Sequence, residues 1–147
     1  MKLLIQRVTE ASVTVGGETV GAIGPGLLAF VGCREGDTPE DADRLAVRTA
    51  ALRIFADDAG RMNRSVADIG GSVLAVSQFT LYGDTVKGRR PFYGAAARPE
   101  VAEPLYEKFM ACLREFGVHV ESGVFGAEMA LEIHNDGPVT LMLESKK

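Results

Sequence analysis

The chain has only two cysteines and two histidines among its 147 residues, which limits the chemistry it can support. Cys33 and Cys112 lie far apart and form neither a CxxC pair nor a Cys/His cluster. The sequence therefore predicts two reduced, partly buried thiols and no zinc site. We expect neither a metal nor a cofactor.

Several longer signals are also missing. No apolar run approaches the roughly 20 residues of a membrane span, and Met1-Lys2 leads into a strand rather than a signal peptide. There is no GxGxxG between strand and helix, no GxxxxGK[ST] loop and no GxSxG elbow, which argues against the usual nucleotide-binding and serine-hydrolase motifs. Without repeats or linkers, residues 1–147 are expected to form one cytoplasmic domain that does not contact membranes.

What is present is the composition of an ordinary globular protein, with 46% hydrophobic and 24% charged residues. A net charge of −4 argues against nonspecific coating of nucleic acid, although it allows a focused basic patch. Lys87, Arg89 and Arg90 form such a cluster in Lys87-Gly-Arg-Arg. Two interpretations stay open, a phosphate contact or a solvated hairpin tip.

Apolar periodicity predicts strands combined with two helices. A first strand begins at Leu3, and the two strands of a hairpin that turns at Gly16-Gly17 follow it. Three strands are therefore expected before Gly24. Residues 27–33 form a continuous apolar run, which is typical of a strand covered on both faces.

The two predicted helices have clear boundaries. Thr38-Pro39 with Asp41 three residues after the threonine is typical of a capped helix start. The second helix is bounded by Pro99 and Gly117, and its regularly spaced apolar residues predict a core helix.

A buried strand is predicted at residues 72–77, and polar residues follow where it ends. Ser77, Gln78 and Thr80 fall at or near its end, where sheet proteins commonly place chemistry. Arg7 lies on the same face of the first strand as its apolar residues, because alternate residues of a strand point to the same side. It either snorkels at a sheet edge or anchors a polar group across the core.

The segment from Asn135 to Thr140 has the composition of a tight turn between two strands. Its Gly137-Pro138 bond is one that can be cis, and a cis bond would fix two carbonyls in a direction that a trans turn cannot supply. His119 is expected on a strand surface and His134 facing solvent or the edge of a site, so neither is favoured as a general base.

Ser77-Gln-Phe-Thr80 together with Asn135-Asp-Gly-Pro-Val-Thr140 resembles the D-aminoacyl-tRNA deacylase family. The likeness covers the full length, from Ile5-Gln-Arg-Val to the end of the chain. The sequence departs from the family at Gly83, at Phe92-Tyr93-Gly94 and at His134, which leaves the shape of the basic loop open.

The resemblance implies a small α/β domain with a barrel-like mixed β-sheet and two main packing helices, assembled as a homodimer. It implies an ester hydrolase that releases D-amino acids, or glycine, from tRNA as chiral proofreading in translation, with aminoacyl-tRNA as the partner and no DNA or membrane. The family's roles fall on the following residues: catalysis on Ser77, Gln78, Phe79 and Thr80; chiral selection on Gly137 and Pro138 of the other subunit, supported by Arg7; the terminal-adenosine pocket on Phe125, Gly126 and Met129. The basic cluster is expected at tRNA phosphates.

Alternatives concern both mechanism and function. Thr80 either attacks the ester directly or is a positioning group while water attacks, assisted by the substrate's own ribose hydroxyl; the second is favoured because the sequence places no base beside Thr80. One rival function is a noncatalytic RNA-binding module. Another is a general Thr-nucleophile esterase.

Overall fold

The computed structural model describes residues 1–146, which form eight β-strands, two α-helices and one short 3-10 helix. In chain order the elements are β1 (Lys2–Val15), β2 (Glu18–Ile23), β3 (Gly26–Gly32), α1 (Pro39–Ala51), β4 (Phe55–Ala56), β5 (Met62–Arg64), β6 (Ser72–Ser77), the 3-10 helix (Phe79–Tyr82), α2 (Pro99–Glu115), β7 (His119–Ser122) and β8 (Ala130–Glu144). Two helices combined with one large mixed sheet confirm the predicted α/β class.

The main sheet has the strand order β2-β1-β3-β6-β7, and β8 runs along the other side of β1. The pairs of β3 with β6 and of β6 with β7 are parallel, whereas those of β1 are antiparallel. The two ends of the sheet approach each other, since a Cβ added at Gly21 of β2 would lie 2.7 Å from the Ser122 carbonyl oxygen of β7. The sheet is therefore nearly closed and barrel-like, as expected.

Successive residues of β3 and β6 point into two different hydrophobic clusters, one on each face of the sheet. Leu27 and Val73 face a cluster that includes the buried sides of both helices, whereas Leu28 and Leu74 belong to a smaller cluster formed by the strands. This alternation is the period-2 geometry of a strand with both faces covered. It explains why these strands are continuously apolar in sequence.

Both predicted helices are present and pack against each other. At the start of α1, the Asp41 carboxylate accepts a hydrogen bond of 2.8 Å from the Thr38 backbone N–H. The predicted capping arrangement is thus formed. Cys33 and Cys112 are free, as predicted, and both are buried rather than partly buried. Among the helices described, neither combines the length and the apolar character that crossing a membrane requires.

The prediction of three strands before Gly24 was wrong, because β1 is one strand of 14 residues. No turn-forming residue separates Thr9 from Ser12, so the chain continues and changes its register instead of reversing. The long strand consequently pairs with β3 in its first half and with β2 in its second half.

The prediction of a tight turn at residues 135–140 was also wrong. The segment lies within β8, but Val8 pairs with Asn135 and Gln6 pairs with Thr140, so β8 advances five residues where β1 advances two. The extra residues form a wide bulge on a strand that is hydrogen-bonded to β1 alone within residues 1–146. Turn-forming residues here leave the ladder without reversing the chain.

Candidate active site

A cavity of about 620 Å³ lies between the end of β6, the start of α2 and the segment before β8. Two of its walls hold residues that the family resemblance assigned to the site: Ser77, Gln78 and Phe79 on one, and Phe125, Gly126 and Met129 on the other. The remaining lining residues are Val31, Cys33, Val76, Tyr93, Ala96, Ala97, Arg98, Pro99, Ala102, Tyr106, Ala127 and Leu131. The fold thus brings two segments together that lie about fifty residues apart in sequence.

The chain after β6 is fixed closely against β3. The Gln78 N–H donates a 2.8 Å hydrogen bond to the Val31 carbonyl, and the next residues form the 3-10 helix. Gly32 makes this approach feasible, because a Cβ there would lie 3.1 Å from both the Gln78 oxygen and the Leu81 Cβ. The Gln78 side-chain amide donates to the hydroxyl oxygen of Thr80, so these two side chains form one polar unit.

Tyr82 anchors the far end of the 3-10 helix, a role that the sequence did not reveal. The Lys2 ammonium lies 4.7 Å from its ring centroid and the Arg34 guanidinium 6.0 Å, within cation–π range. Burial raises the pKa of the Tyr82 hydroxyl, so this side chain stays neutral at physiological pH. Lys2 belongs to β1 and Arg34 lies two residues after the end of β3. Because both are far from Tyr82 in the sequence, no local pattern indicated these contacts.

Aromatic residues form much of the cavity wall. The Phe79 and Tyr93 rings meet edge to face at 5.1 Å, and Phe125 lies 6.0 Å from Tyr106. The Tyr106 hydroxyl donates a 2.7 Å hydrogen bond to the Ala75 carbonyl. Burial raises the pKa of Tyr106 to about 12, so it too remains neutral. The sequence predicted Tyr106 only as part of a core helix, and it did not indicate that Tyr106 also lines the cavity.

No histidine, aspartate or glutamate side chain lines the cavity within residues 1–146. His119 is exposed and lies 2.7 Å from Glu121, while His134 is exposed and lies 3.3 Å from Glu10. The expectation that neither histidine is a general base therefore agrees with the geometry. Cys33 does line the cavity, but burial raises the pKa of its thiol to about 12, which leaves it a poor nucleophile.

The basic cluster lies on an exposed loop. Asp84 and Phe92 close this loop with two backbone hydrogen bonds of 2.8 Å each, and Lys87, Arg89 and Arg90 are all exposed. None of the three lines the cavity. The loop has the form of a solvated hairpin tip, and its contact with phosphate stays a prediction.

Arg7 anchors polar groups and does not snorkel. Its side chain is 13% exposed, donates a 2.6 Å hydrogen bond to the Ile54 carbonyl and lies 3.1 Å from the Asp136 carboxylate. The Asn135 amide donates in turn to the Arg7 carbonyl at 3.0 Å. Arg7 thus holds the base of the bulge in β8 from two sides.

Beyond this anchored base, Gly137 and Pro138 are exposed and joined by a cis peptide bond. Neither lines the cavity of its own chain. The structure therefore separates residues that the family resemblance assigned to one site. Ser77, Gln78 and Phe79 line the cavity, whereas Thr80 is not among the lining residues and is joined to them by the hydrogen bond from Gln78. The Gly137-Pro138 segment projects from the open strand β8.

Comparison with known proteins gives a consistent result. A family model described as D-Tyr-tRNA(Tyr) deacylase matches residues 4–144. D-aminoacyl-tRNA deacylases of Thermus aquaticus and Halalkalibacterium halodurans are each 58% identical to the chain, covering 100% and 99% of it and 97% and 100% of their own lengths. A solved structure titled c-Myc DNA Unwinding Element Binding Protein is 41% identical, with a TM-score of 0.93 and full coverage of both chains.

Proposed function

Because the chain belongs to the D-Tyr-tRNA(Tyr) deacylase family, we propose that its cavity receives the aminoacylated end of tRNA and hydrolyses the ester there. The protein is a D-aminoacyl-tRNA deacylase, a hydrolase of ester bonds. The observation that supports this site is that Gln78, which donates a hydrogen bond to Thr80, lines the same cavity as Phe125, Gly126 and Met129. D-amino acids and misplaced glycine are the proposed acyl groups, in chiral proofreading in the cytoplasm.

The cavity suits a nucleoside ester in size and character. Its volume of about 620 Å³ is within the roughly 300–1,000 Å³ of small-molecule sites. Phe125 and Tyr106 offer aromatic surface for a purine, while the polar end of β6 lies on another wall. An adenosine bound against Phe125 would direct its ribose ester toward Gln78 and Thr80.

A second copy of the chain would complete the site. Strand β8 pairs with β1 only, as far as residues 1–146 show, and exposes Leu141 at 36%, Met142 at 48% and Ile133 at 37%. An apolar open strand of this kind is a liability in a monomer and is suited to a symmetric interface. In such a homodimer, Gly137 and Pro138 of each subunit would reach the cavity of the other.

Chiral selection then follows from rigid backbone. Gly137 has no side chain, the ring of Pro138 is bonded to its own backbone and cannot rotate away, and Arg7 fixes the base of their bulge. Placed where an L side chain would point, this backbone excludes L-aminoacyl esters by steric clash. Glycine has no side chain to exclude, so the same filter admits glycyl-tRNA.

The reaction proceeds by attack of water, assisted by the free ribose hydroxyl of the substrate. The Gln78 amide and the backbone N–H groups near Phe79 are the donors available to a developing oxyanion. Thr80 accepts a hydrogen bond from Gln78, which orients that amide. Without a carboxylate or imidazole in the lining of the described cavity, Thr80 has no base to activate it as a nucleophile.

The function is tested by following amino acid release from tRNA carrying D-tyrosine or L-tyrosine. We expect rapid hydrolysis of the D-ester and none of the L-ester above the spontaneous rate. Loss of neither ester would instead favour a noncatalytic RNA-binding module. Hydrolysis of a small activated ester without tRNA would favour a general Thr-nucleophile esterase.

Substituting Thr80 by alanine is expected to retain substantial activity on D-tyrosyl-tRNA, because the hydroxyl positions Gln78 and does not attack the ester. Single-turnover kinetics would measure the remaining rate, and intact-protein mass spectrometry would search for an acyl-enzyme. Trapping an ester on Thr80 in the wild-type protein would contradict the water mechanism.

Replacing Arg89 and Arg90 together by alanine is expected to weaken tRNA binding and to reduce its salt dependence. Removing one cation that binds a phosphate lowers the slope of log affinity against log salt by about one unit. Filter binding at several salt concentrations gives this slope, and Arg61→Ala, on the exposed turn before β5, is the matched control. An unchanged slope would show that the loop does not contact tRNA.

A further inference from the structure

Arg98 is the one charged residue among all those that line the cavity in the described part of the chain. It immediately precedes Pro99, the first residue of α2, and its side chain is 79% exposed. The basic cluster at Lys87, Arg89 and Arg90 lies outside the cavity lining. A cation at the edge of an otherwise neutral cavity therefore requires its own explanation.

The backbone of Arg98 is fixed, whereas its guanidinium is held weakly. Ala97 donates a 2.9 Å hydrogen bond to the Cys33 carbonyl, and the Arg98 N–H donates at 3.2 Å to a carboxylate oxygen of Glu35. The same carboxylate lies 3.7 Å from the Arg98 Nε, and the two side chains are 79% and 50% exposed. An exposed pair at this distance contributes little, so the guanidinium is free to exchange Glu35 for another anion.

The substrate supplies such an anion, if the proposed function is correct. A terminal adenosine whose base and ester are enclosed still has a 5′ phosphodiester, and that group must stay where the strand leaves the cavity. Guanidinium groups bind phosphate through two parallel hydrogen bonds. We propose that Arg98 binds the phosphodiester that joins the terminal adenosine to the preceding nucleotide. On binding, the guanidinium exchanges its ion pair with Glu35 for the phosphate.

Two variants separate this role from a structural one. Arg98→Gln should raise KM for D-tyrosyl-tRNA about tenfold with kcat unchanged, because the variant cannot form the charged hydrogen bonds to phosphate. Glu35→Gln keeps an oxygen that accepts the Arg98 N–H but removes the competing charge, so KM should fall about twofold. A purely structural ion pair predicts that both variants raise KM.

The substrate provides the second comparison. The D-tyrosyl ester of adenosine itself has no phosphate, so both variants should hydrolyse it at the wild-type kcat/KM. Arg61→Gln is the control for loss of an exposed arginine, and thermal melting confirms that each variant is folded. Equal KM values for Arg98→Gln and wild type on D-tyrosyl-tRNA, or increases in KM for both variants, would overturn the proposal. Failure of the wild-type protein to hydrolyse D-tyrosyl-tRNA would contradict the proposed function instead.

Discussion

Replacing Gln78 by glutamate is expected to lower kcat on D-tyrosyl-tRNA by about 100- to 1,000-fold, the usual cost of losing one oxyanion donor. Gln78 lines the cavity, and its side-chain amide is oriented by Thr80. Glutamate has nearly the same shape but lacks the amide hydrogens and adds a negative charge where the oxyanion forms. KM should change little because the adenosine contacts lie on another wall. Single-turnover hydrolysis with excess enzyme measures this loss directly.

Two controls define what Gln78 does. Gln78→Met removes the donors without adding charge, so it separates the missing hydrogen bond from electrostatic repulsion. Thr80→Ala removes only the orienting partner and should lose far less activity. If Gln78→Met kept the wild-type kcat, the amide would have no part in stabilising the oxyanion. If Thr80→Ala lost as much as Gln78→Met, Gln78 would act mainly by orienting Thr80.

Substituting Gly137 by alanine is expected to lower kcat/KM on D-tyrosyl-tRNA by about 100-fold, the effect of displacing a positioning group by roughly 1 Å. Gly137 has a φ of +120°, a backbone conformation that L side chains rarely adopt. An added Cβ would also lie 2.9 Å from Arg7 Nη2 and 3.0 Å from the Val139 backbone nitrogen. The bulge must therefore shift, while the cavity walls of the same chain remain intact.

Mixing two inactive variants tests whether the site is shared between subunits. If the proposed dimer shares its sites between subunits, a heterodimer of Gln78→Glu and Gly137→Ala chains has one site that carries both changes and one that carries neither. Random reassortment after mild denaturation should therefore restore activity to about a quarter of all sites, since half of the dimers are mixed and each has one intact site. Each variant refolded alone is the control.

The outcome of this mixing experiment discriminates between two arrangements. No recovery on mixing, with ion-exchange chromatography resolving mixed dimers by the added charge of Gln78→Glu, would show that Gly137 acts within its own chain or not at all. Full activity of Gly137→Ala alone would remove the bulge from the mechanism. The relative rates on D- and L-tyrosyl-tRNA should converge in this variant, because a displaced bulge no longer occupies the position of an L side chain.

Local sequence was sufficient to predict a strand or a helix start wherever the spacing of apolar residues or a capping pattern alone determined it. The continuous apolar run at β3 predicted a strand covered on both faces, the run at β6 predicted a buried strand, and Thr38 with Asp41 predicted the start of α1. Prediction from local sequence failed where turn-forming residues lie within a strand that pairs with a neighbouring strand on both sides of them. Residues 135–140 look like a reversal, but pairing with β1 on both sides of them holds the chain in one direction and forces the extra residues into a bulge.

The sequence by itself determined the α/β class, the polar end of β6 and the free state of the two cysteines, and the family resemblance pointed to residues that line two walls of the cavity. Only the tertiary structure decided that Arg98 and Tyr106 border the cavity, that Lys2 and Arg34 anchor Tyr82, and that Arg7 holds the bulge of β8. The division has a physical reason. Periodicity and capping are set by neighbours within a few residues, whereas these contacts join strands and helices distant in the chain, and their partners are specified only once the sheet has curved toward closure.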